Sequence, residues 1–134
     1  MRWIWIDRII ELVPRSRLVA IKNTTMGEEY LREHFAAVPG RAAMPIMPAS
    51  LILEGMAQAA GILVGHAEGF REKVVLAKIG RAEFDREVGP GYTLRFTATI
   101  QHLDRLGATT QGVVEVLDPV APQAALPLAR IDLM

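Results

Sequence analysis

The order of apolar and polar residues predicts two strands, an irregular stretch, one helix and four more strands. Residues 1–24 alternate and are rich in β-formers, with Trp3, Trp5 and Ile9 on one side, which is typical of two strands joined by a turn. Residues 23–47 carry loop and short-helix signals instead. An irregular stretch of that length is uncommon in a compact domain, so it is a candidate for function.

The longest apolar segment predicts a helix over 48–66, with start signals at Pro48 and Ser50 and a stop signal at Gly65. Its apolar side chains lie on every side, so we expect protein to surround it. Strand-like segments follow at about 73–86, 92–103, 109–117 and 126–133. Because consecutive strands joined by short turns pair antiparallel, we expect an α+β fold, an antiparallel β-sheet around one long central helix, in a single domain over residues 1–134.

The composition of the 134 residues excludes several classes of protein. There is no cysteine, which rules out cysteine catalysis and cysteine metal sites. The 15 Lys and Arg residues balance the 15 Asp and Glu residues, so nothing indicates binding to nucleic acid. The longest uncharged stretch, 42–53, is too short to span a membrane. We therefore expect a cytoplasmic protein, and its 51% hydrophobic residues favour an oligomer.

Glu54 is the first candidate for chemistry, because it is the only ionisable residue between Arg41 and His66 and the helix around it is expected to be buried. A buried carboxylate has to be paired, hydrogen-bonded or directed into a cleft, where it could serve as an acid or a base. The alternative is a glutamate that the dipole tolerates near a helix N-terminus. The chain contains no metal-binding or nucleotide-binding motif, so we expect no metal and no cofactor.

The histidines and the start of the helix are the next candidates. His34 lies in the irregular stretch, His66 at the end of the helix and His102 in a predicted strand. From spacing alone, a structural or solvated histidine is the more common interpretation of each. The helix start at Ala49 and Ser50 leaves free N–H groups that could bind an anion or polarise a carbonyl, with an ordinary capped helix as the alternative.

Three motifs carry a resemblance to a known family. They are His34-Phe35, Pro39-Gly40-Arg41 and the run from Met44 to Gln58. Together they are similar to the signature HFPGxPxxPGxLxxEAMAQ of the 3-hydroxyacyl-[acyl-carrier-protein] dehydratases of the FabZ/FabA type, and the likeness extends over most of the chain. The resemblance implies the hotdog fold, in which an antiparallel sheet wraps around one long helix.

The resemblance implies catalytic roles for His34 and Glu54. His34 would be the base that removes the α-proton of a 3-hydroxyacyl thioester. Glu54 would assist loss of the 3-hydroxyl, directly or through a water, to give the trans-2-enoyl thioester of fatty-acid or related lipid or polyketide synthesis. In such enzymes these two residues face each other across a dimer interface, one from each subunit, so a homodimer or a larger assembly is implied.

The resemblance also implies substrate-binding residues and a partner. Backbone N–H groups of Ala49 and Ser50 would hold the thioester oxygen as negative charge develops on it. Gln58, one helical turn from Glu54, would orient that carboxylate, and Gly40 matches the glycine of the motif. The partner would be acyl carrier protein or another pantetheine-linked acyl thioester. Because carrier proteins are acidic, the candidate docking residues are basic: Arg32, Arg41, Arg71, Lys73 and Arg81.

One departure from the signature bears on these roles. The chain has 20 positions from His34 to Glu54 (54 minus 34), which is 6 more than the signature has. If the insertion bulges outward, His34 still reaches the site; if it does not, the pair is broken. A hotdog thioesterase, in which Glu54 activates water, and a non-catalytic acyl-thioester binding module are therefore the alternatives to a dehydratase.

Overall fold

The computed structural model describes residues 4–121 and 123–134, and within them it has two helices and six strands. In chain order the elements are β1 (Arg8–Val13), β2 (Arg17–Asn23), α1 (Glu29–Glu33), α2 (Ala49–Ala67), β3 (Ile79–Phe84), β4 (Thr93–Leu103), β5 (Ala108–Leu117) and β6 (Leu126–Leu133). The strands form one antiparallel sheet in the order β1-β2-β4-β5-β6-β3. The predicted α+β layout, an antiparallel sheet with one long helix, is confirmed.

The first strand begins later than the alternation predicts. β1 starts at Arg8, so Trp5 precedes it, and Trp3 lies outside the described residues. Trp5 is buried whereas Ile9 is exposed, so the prediction that they share one side is wrong. The reason is that pairing with β2 begins only at Arg8, so Trp5 lies outside the strand and the alternation that places Ile9 does not extend to it.

The third strand is shorter than predicted, Ile79–Phe84 instead of 73–86. β3 pairs with β6, which ends at Leu133, so residues 73–77 run past the end of their partner strand. At that end Lys78 and Met134 exchange backbone hydrogen bonds of 2.9 Å. The remaining predicted segments agree with β4, β5 and β6 to within a residue.

Helix α2 lies across one face of the sheet, against β4 and its neighbours. Ile52, Met56 and Leu63 are buried on the side that faces the sheet, as a spacing of three or four residues places them on one stripe. Gly55 lies so close to β4 that a Cβ there would be 2.5 Å from the ring of Phe96. The absence of a side chain at this position therefore sets how near the helix sits to the sheet.

The other side of α2 is open in the single chain, so the prediction that protein surrounds the helix is wrong for one copy. Glu54 is exposed, and Leu53, Ala57 and Val64 are only half-buried. The physical reason is that one sheet offers the helix one face. An apolar helix that is covered on one side only leaves a partly apolar surface on the other.

We expect Gly55→Ala to destabilise the fold by about 1–3 kcal/mol, because the new methyl group would overlap the ring of Phe96, which is itself buried. Gly61→Ala is the matched control in the same helix, since its added Cβ would meet no atom within 4 Å apart from those of its chain neighbours and the nearby helix backbone. Its better helix propensity should stabilise the chain by up to about 1 kcal/mol. Urea unfolding followed by circular dichroism measures both, and equal stability of the two variants would contradict the close helix–sheet contact.

Candidate functional site

A cleft of about 560 Å³ opens where the end of α1, the start of α2 and the end of β3 meet. His34 and Phe35 line it from the α1 side, Ala49 and Ser50 from the start of α2, and Phe84 from the end of β3. The structure therefore brings together three of the residues that the sequence singles out, His34, Ala49 and Ser50. They come from separate parts of the chain and meet because α2 is seated on the sheet.

His34 is held in a defined orientation at the end of α1. Its backbone N–H donates to the carbonyl of Tyr30 at 3.1 Å, and its ring Nδ1 lies 2.7 Å from the carbonyl oxygen of Ile46. A carbonyl oxygen can only accept, so Nδ1 carries the proton and Nε2 is left as the unprotonated ring nitrogen of the neutral imidazole. The ring also stacks on Phe35, with centroids 4.3 Å apart. This is the tautomer that a general base requires.

The residues inserted after His34 loop outward and close on themselves. The N–H of Met44 donates to the carbonyl of Phe35 at 3.0 Å, which joins the two ends of the excursion. Within it, Val38 and Arg41 exchange backbone hydrogen bonds of 3.1 and 2.9 Å around a turn in which Gly40 has a φ of +82°. Because the ends are tied together, the chain returns at Ile46 beside His34, as the outward-bulge alternative requires.

Gly40 itself lies at the exposed turn of this excursion and is not among the residues that line the cleft. Its positive φ is a conformation that favours glycine, so its place in the turn gives it a structural reason to be there. The structure does not bring Gly40 together with His34, Ala49 and Ser50.

The start of α2 presents backbone N–H groups to the cleft. The carbonyl of Pro48 accepts from the N–H groups of Leu51 and Ile52 at 3.0 and 3.2 Å, and no side chain caps the helix. For the N–H groups of Ala49 and Ser50, the described part of the chain supplies no acceptor. Ala49 is helical, so an alanine at this position of the motif is accommodated without a left-handed backbone.

Glu54 and Gln58 form a separate pair on the open side of α2. The side-chain Nε2 of Gln58 donates to Oε1 of Glu54 at 2.9 Å, and Oε1 of Gln58 accepts from the backbone N–H of Trp5, also at 2.9 Å. The expectation that Glu54 is buried is wrong for the single chain, where it is exposed and does not line the cleft. Within one copy, His34 and Glu54 therefore do not share one cleft, because the helix points Glu54 away from the sheet.

The end of β3 is a part of the cleft that the sequence did not predict. Phe84 is half-buried there, and Asp85, Arg86 and Glu87 follow it along the cleft wall. The guanidinium of Arg86 donates to the carbonyl of Pro127 at 2.6 Å, which ties this wall to β6. These residues lie far from His34 in sequence, and no motif spacing signals that they meet it. The only signal available in the sequence was the family resemblance, which extends over most of the chain and assigned no role to these residues.

Two negative findings apply to the described residues alone. In 4–121 and 123–134, no group of three or more histidine or carboxylate side chains is placed to hold a metal ion. Among the helices in the same part of the chain, neither is long and apolar enough to cross a membrane.

The sequence matches the family described as FabA-like domain over residues 3–121. The 3-hydroxyacyl-[acyl-carrier-protein] dehydratase FabZ of Symbiobacterium thermophilum is 39% identical over 128 residues, which cover 95% of this chain and 86% of that relative. The protein of the same name from Verminephrobacter eiseniae is 40% identical over 125 residues, covering 90% of this chain and 79% of the relative.

Solved structures support the fold. An acyl-CoA hydrolase mutant from Staphylococcus aureus aligns with a TM-score of 0.66 at 14% identity, covering 87% of this chain and 63% of that one. The dehydratase heterocomplex ApeI:P from Xenorhabdus doucetiae aligns with a TM-score of 0.58 at 14% identity, covering 98% and 82%. At this identity the likeness establishes the hotdog fold, and the sequence matches establish the family. The chain therefore belongs to the FabA-like family and, within it, to the 3-hydroxyacyl-[acyl-carrier-protein] dehydratases of the FabZ type.

Proposed function

We propose that the chain dehydrates a 3-hydroxyacyl thioester, carried on acyl carrier protein, to the trans-2-enoyl thioester in cytoplasmic fatty-acid or related lipid synthesis. The observation that carries the proposal is the placement of the oriented His34 imidazole in the same cleft as the free N–H groups at the start of α2. A base beside an oxyanion-binding group is what removal of a proton next to a thioester carbonyl requires.

In the first part of the reaction, Nε2 of His34 takes the α-proton of the substrate. The electron pair of the broken C–H bond moves toward the thioester carbonyl, whose oxygen gains negative charge. The N–H groups of Ala49 and Ser50 are fixed before the reaction begins, so they stabilise that charge without reorganising. The helix dipole contributes in the same direction.

In the second part, the electron pair returns from the thioester oxygen to form the double bond between C2 and C3, the bond between C3 and the hydroxyl oxygen breaks, and the hydroxyl leaves as water. The proton that His34 has taken passes to the departing oxygen, and Glu54 relays it directly or through a water. His34 and Glu54 therefore end the cycle in the state in which they began it. Gln58 holds the Glu54 carboxylate in place through its 2.9 Å hydrogen bond.

We expect His34→Ala and Glu54→Gln each to lower kcat by about 10²–10⁴-fold, the usual contribution of a positioned acid or base. The assay follows enoyl-thioester absorbance and free thiol in the same samples. His102→Ala is the matched control, because this exposed histidine on β4 does not line the cleft. Thiol release that depends on Glu54 alone would indicate a thioesterase. A folded protein that binds acyl thioesters without turning them over would indicate the non-catalytic module.

A homodimer is part of the proposal, with His34 of one copy meeting Glu54 of the other. Support comes from the separation of the two groups within one chain, since Glu54 faces away from the cleft that holds His34. The half-buried Leu53, Ala57 and Val64 make the same side of α2 partly apolar. Covering that side with a second copy would remove apolar surface from water and bring a carboxylate to each cleft.

Mixing the two inactive variants tests this arrangement. If each site takes one group from each copy, equal amounts of His34→Ala and Glu54→Gln subunits, unfolded and refolded together, should recover about a quarter of the wild-type activity. The reason is that half of the randomly formed dimers are hybrids and each hybrid has one intact site. The separately refolded variants provide the baseline. No recovery in a preparation that is dimeric by sedimentation would show that each chain builds its own site.

The structure reduces the number of basic side chains that are candidates for docking the carrier protein. Arg41, Arg71 and Lys73 are exposed, whereas Arg81 is engaged with Asp132 at 3.0 Å. The side chain of Arg32 lies outside the described residues. We assign docking to the pair Arg71 and Lys73, because they are close together in sequence just after α2.

Reversing both charges, in Arg71→Glu with Lys73→Glu, should raise KM for the carrier-bound substrate by roughly tenfold through slower, salt-dependent association. KM for the same acyl group on free pantetheine should not change, since that substrate has no acidic surface. Arg105→Glu, at an exposed arginine in the turn between β4 and β5, is the control. Equal KM values for variant and wild type on carrier protein would reject this docking surface.

A further inference from the structure

Trp5 lies between the two parts of the chain that hold the proposed catalytic side chains. It precedes β1 and is 3% exposed. Asp7, two residues later, fastens this segment to β2. Its backbone N–H donates to the carbonyl of Ile21 at 2.8 Å, and its carboxylate accepts from the N–H of Asn23 at 2.6 Å. The segment that carries Trp5 is therefore fixed to the sheet although it is not itself a strand.

On one side, Trp5 determines how the Gln58 side chain is oriented. The backbone N–H of Trp5 donates to Oε1 of Gln58 at 2.9 Å. A carboxamide has its oxygen and its NH₂ at opposite positions, so fixing the oxygen on an N–H donor directs the NH₂ elsewhere. In this structure the NH₂ is directed to Oε1 of Glu54, at 2.9 Å. A flipped amide would lose both hydrogen bonds.

On the other side, the indole of Trp5 supports α1. The Trp5 and Tyr30 rings meet edge to face, with centroids 4.7 Å apart. Tyr30 is the residue whose carbonyl accepts the backbone N–H of His34 at 3.1 Å, so the contact bears directly on the end of the helix from which His34 projects. Such a short helix has little stability of its own, and its position depends on tertiary contacts of this kind.

Lys22, on β2, contacts both Trp5 and the residue that precedes α1. Its ammonium group is 2.7 Å from a carboxylate oxygen of Glu28, the residue that precedes α1, and 5.6 Å from the centroid of the Trp5 ring. The Lys22 side chain is only 10% exposed, so this ion pair is less screened than a surface pair. Lys22 thus joins the start of α1 to Trp5.

We propose that Trp5 is a positioning residue for both proposed catalytic groups: its backbone N–H orients Gln58 toward Glu54, and its indole seats α1 so that His34 reaches the cleft. The inference rests on the proposed function, because it assigns Trp5 a role in the chemistry of that site. In this role Trp5 affects kcat, because its contacts with Gln58 and Tyr30 position Glu54 and His34. A residue with a purely structural role would affect only the stability of the fold.

The test compares Trp5→Leu with Trp5→Phe, at a temperature where each is folded by circular dichroism. Trp5→Leu removes the edge-to-face contact and loosens the segment, so kcat should fall by roughly 10–100-fold with KM within about twofold, as expected for a small displacement of reacting groups. Trp5→Phe keeps an aromatic edge against Tyr30 and should recover most of the loss. Val114→Ala, a truncation in the buried part of β5, is the control for lost core packing and should leave kcat unchanged.

A double-mutant cycle tests whether Trp5 affects kcat through Gln58. In the Gln58→Leu background, Trp5→Leu should lower kcat by a smaller factor than in the wild type, because the branch through Gln58 is already absent. The same factor in both backgrounds, or a kcat that follows only the folded fraction, would overturn the inference.

A measurement that needs no turnover separates this inference from the proposed function. In the wild type, the side-chain NH₂ of Gln58 should exchange slowly with solvent by NMR, and Trp5→Leu should lose that protection while Trp5→Phe keeps it. A wild type without dehydratase activity would remove the proposed function but leave this readout intact. Equal protection in wild type and Trp5→Leu would overturn the positioning role directly.

Discussion

The site depends on one constraint, the close packing of α2 against the sheet at Gly55. Because Gly55 faces the ring of Phe96, the neighbouring Glu54 is turned about 100° around the helix, away from the sheet. The same packing contact places the start of α2, and with it the N–H groups of Ala49 and Ser50, at the edge of the cleft. One packing contact therefore decides where the helix presents its N–H groups and where it presents its carboxylate.

The longer connection after His34 leaves His34 tied to the chain on the far side of the loop. Only two local hydrogen bonds are needed, from Met44 to the carbonyl of Phe35 and from the His34 ring to the carbonyl of Ile46. The residues between them form their own small turn. Added length costs little loop-closure entropy when the ends are already tied, so His34 lines the cleft even though the connection to α2 is longer than in the signature.

The sequence predicts those features of the structure that depend on a local pattern of residues or on a motif. The helix expected at 48–66 is found at Ala49–Ala67, and the three last strands agree closely, because alternation and turn residues are local signals. The exposure of Glu54 could not be predicted, since a helix with apolar residues on every side does not reveal which side one chain covers. The cleft wall formed by Phe84 and its neighbours depends on tertiary contacts between segments that are distant in sequence. Such contacts produce no recognisable motif spacing.

In the proposed dimer, one working site takes His34 from one copy and Glu54 from the other. The chain contains no cysteine, so His34→Cys combined with Glu54→Cys introduces the only two thiols of the protein. A short bifunctional thiol reagent applied to this double variant should give a covalent dimer on a denaturing gel, while each single variant stays monomeric. A cross-linked product that migrates as a monomer, showing that the two thiols meet within one chain, would contradict a site shared between two copies.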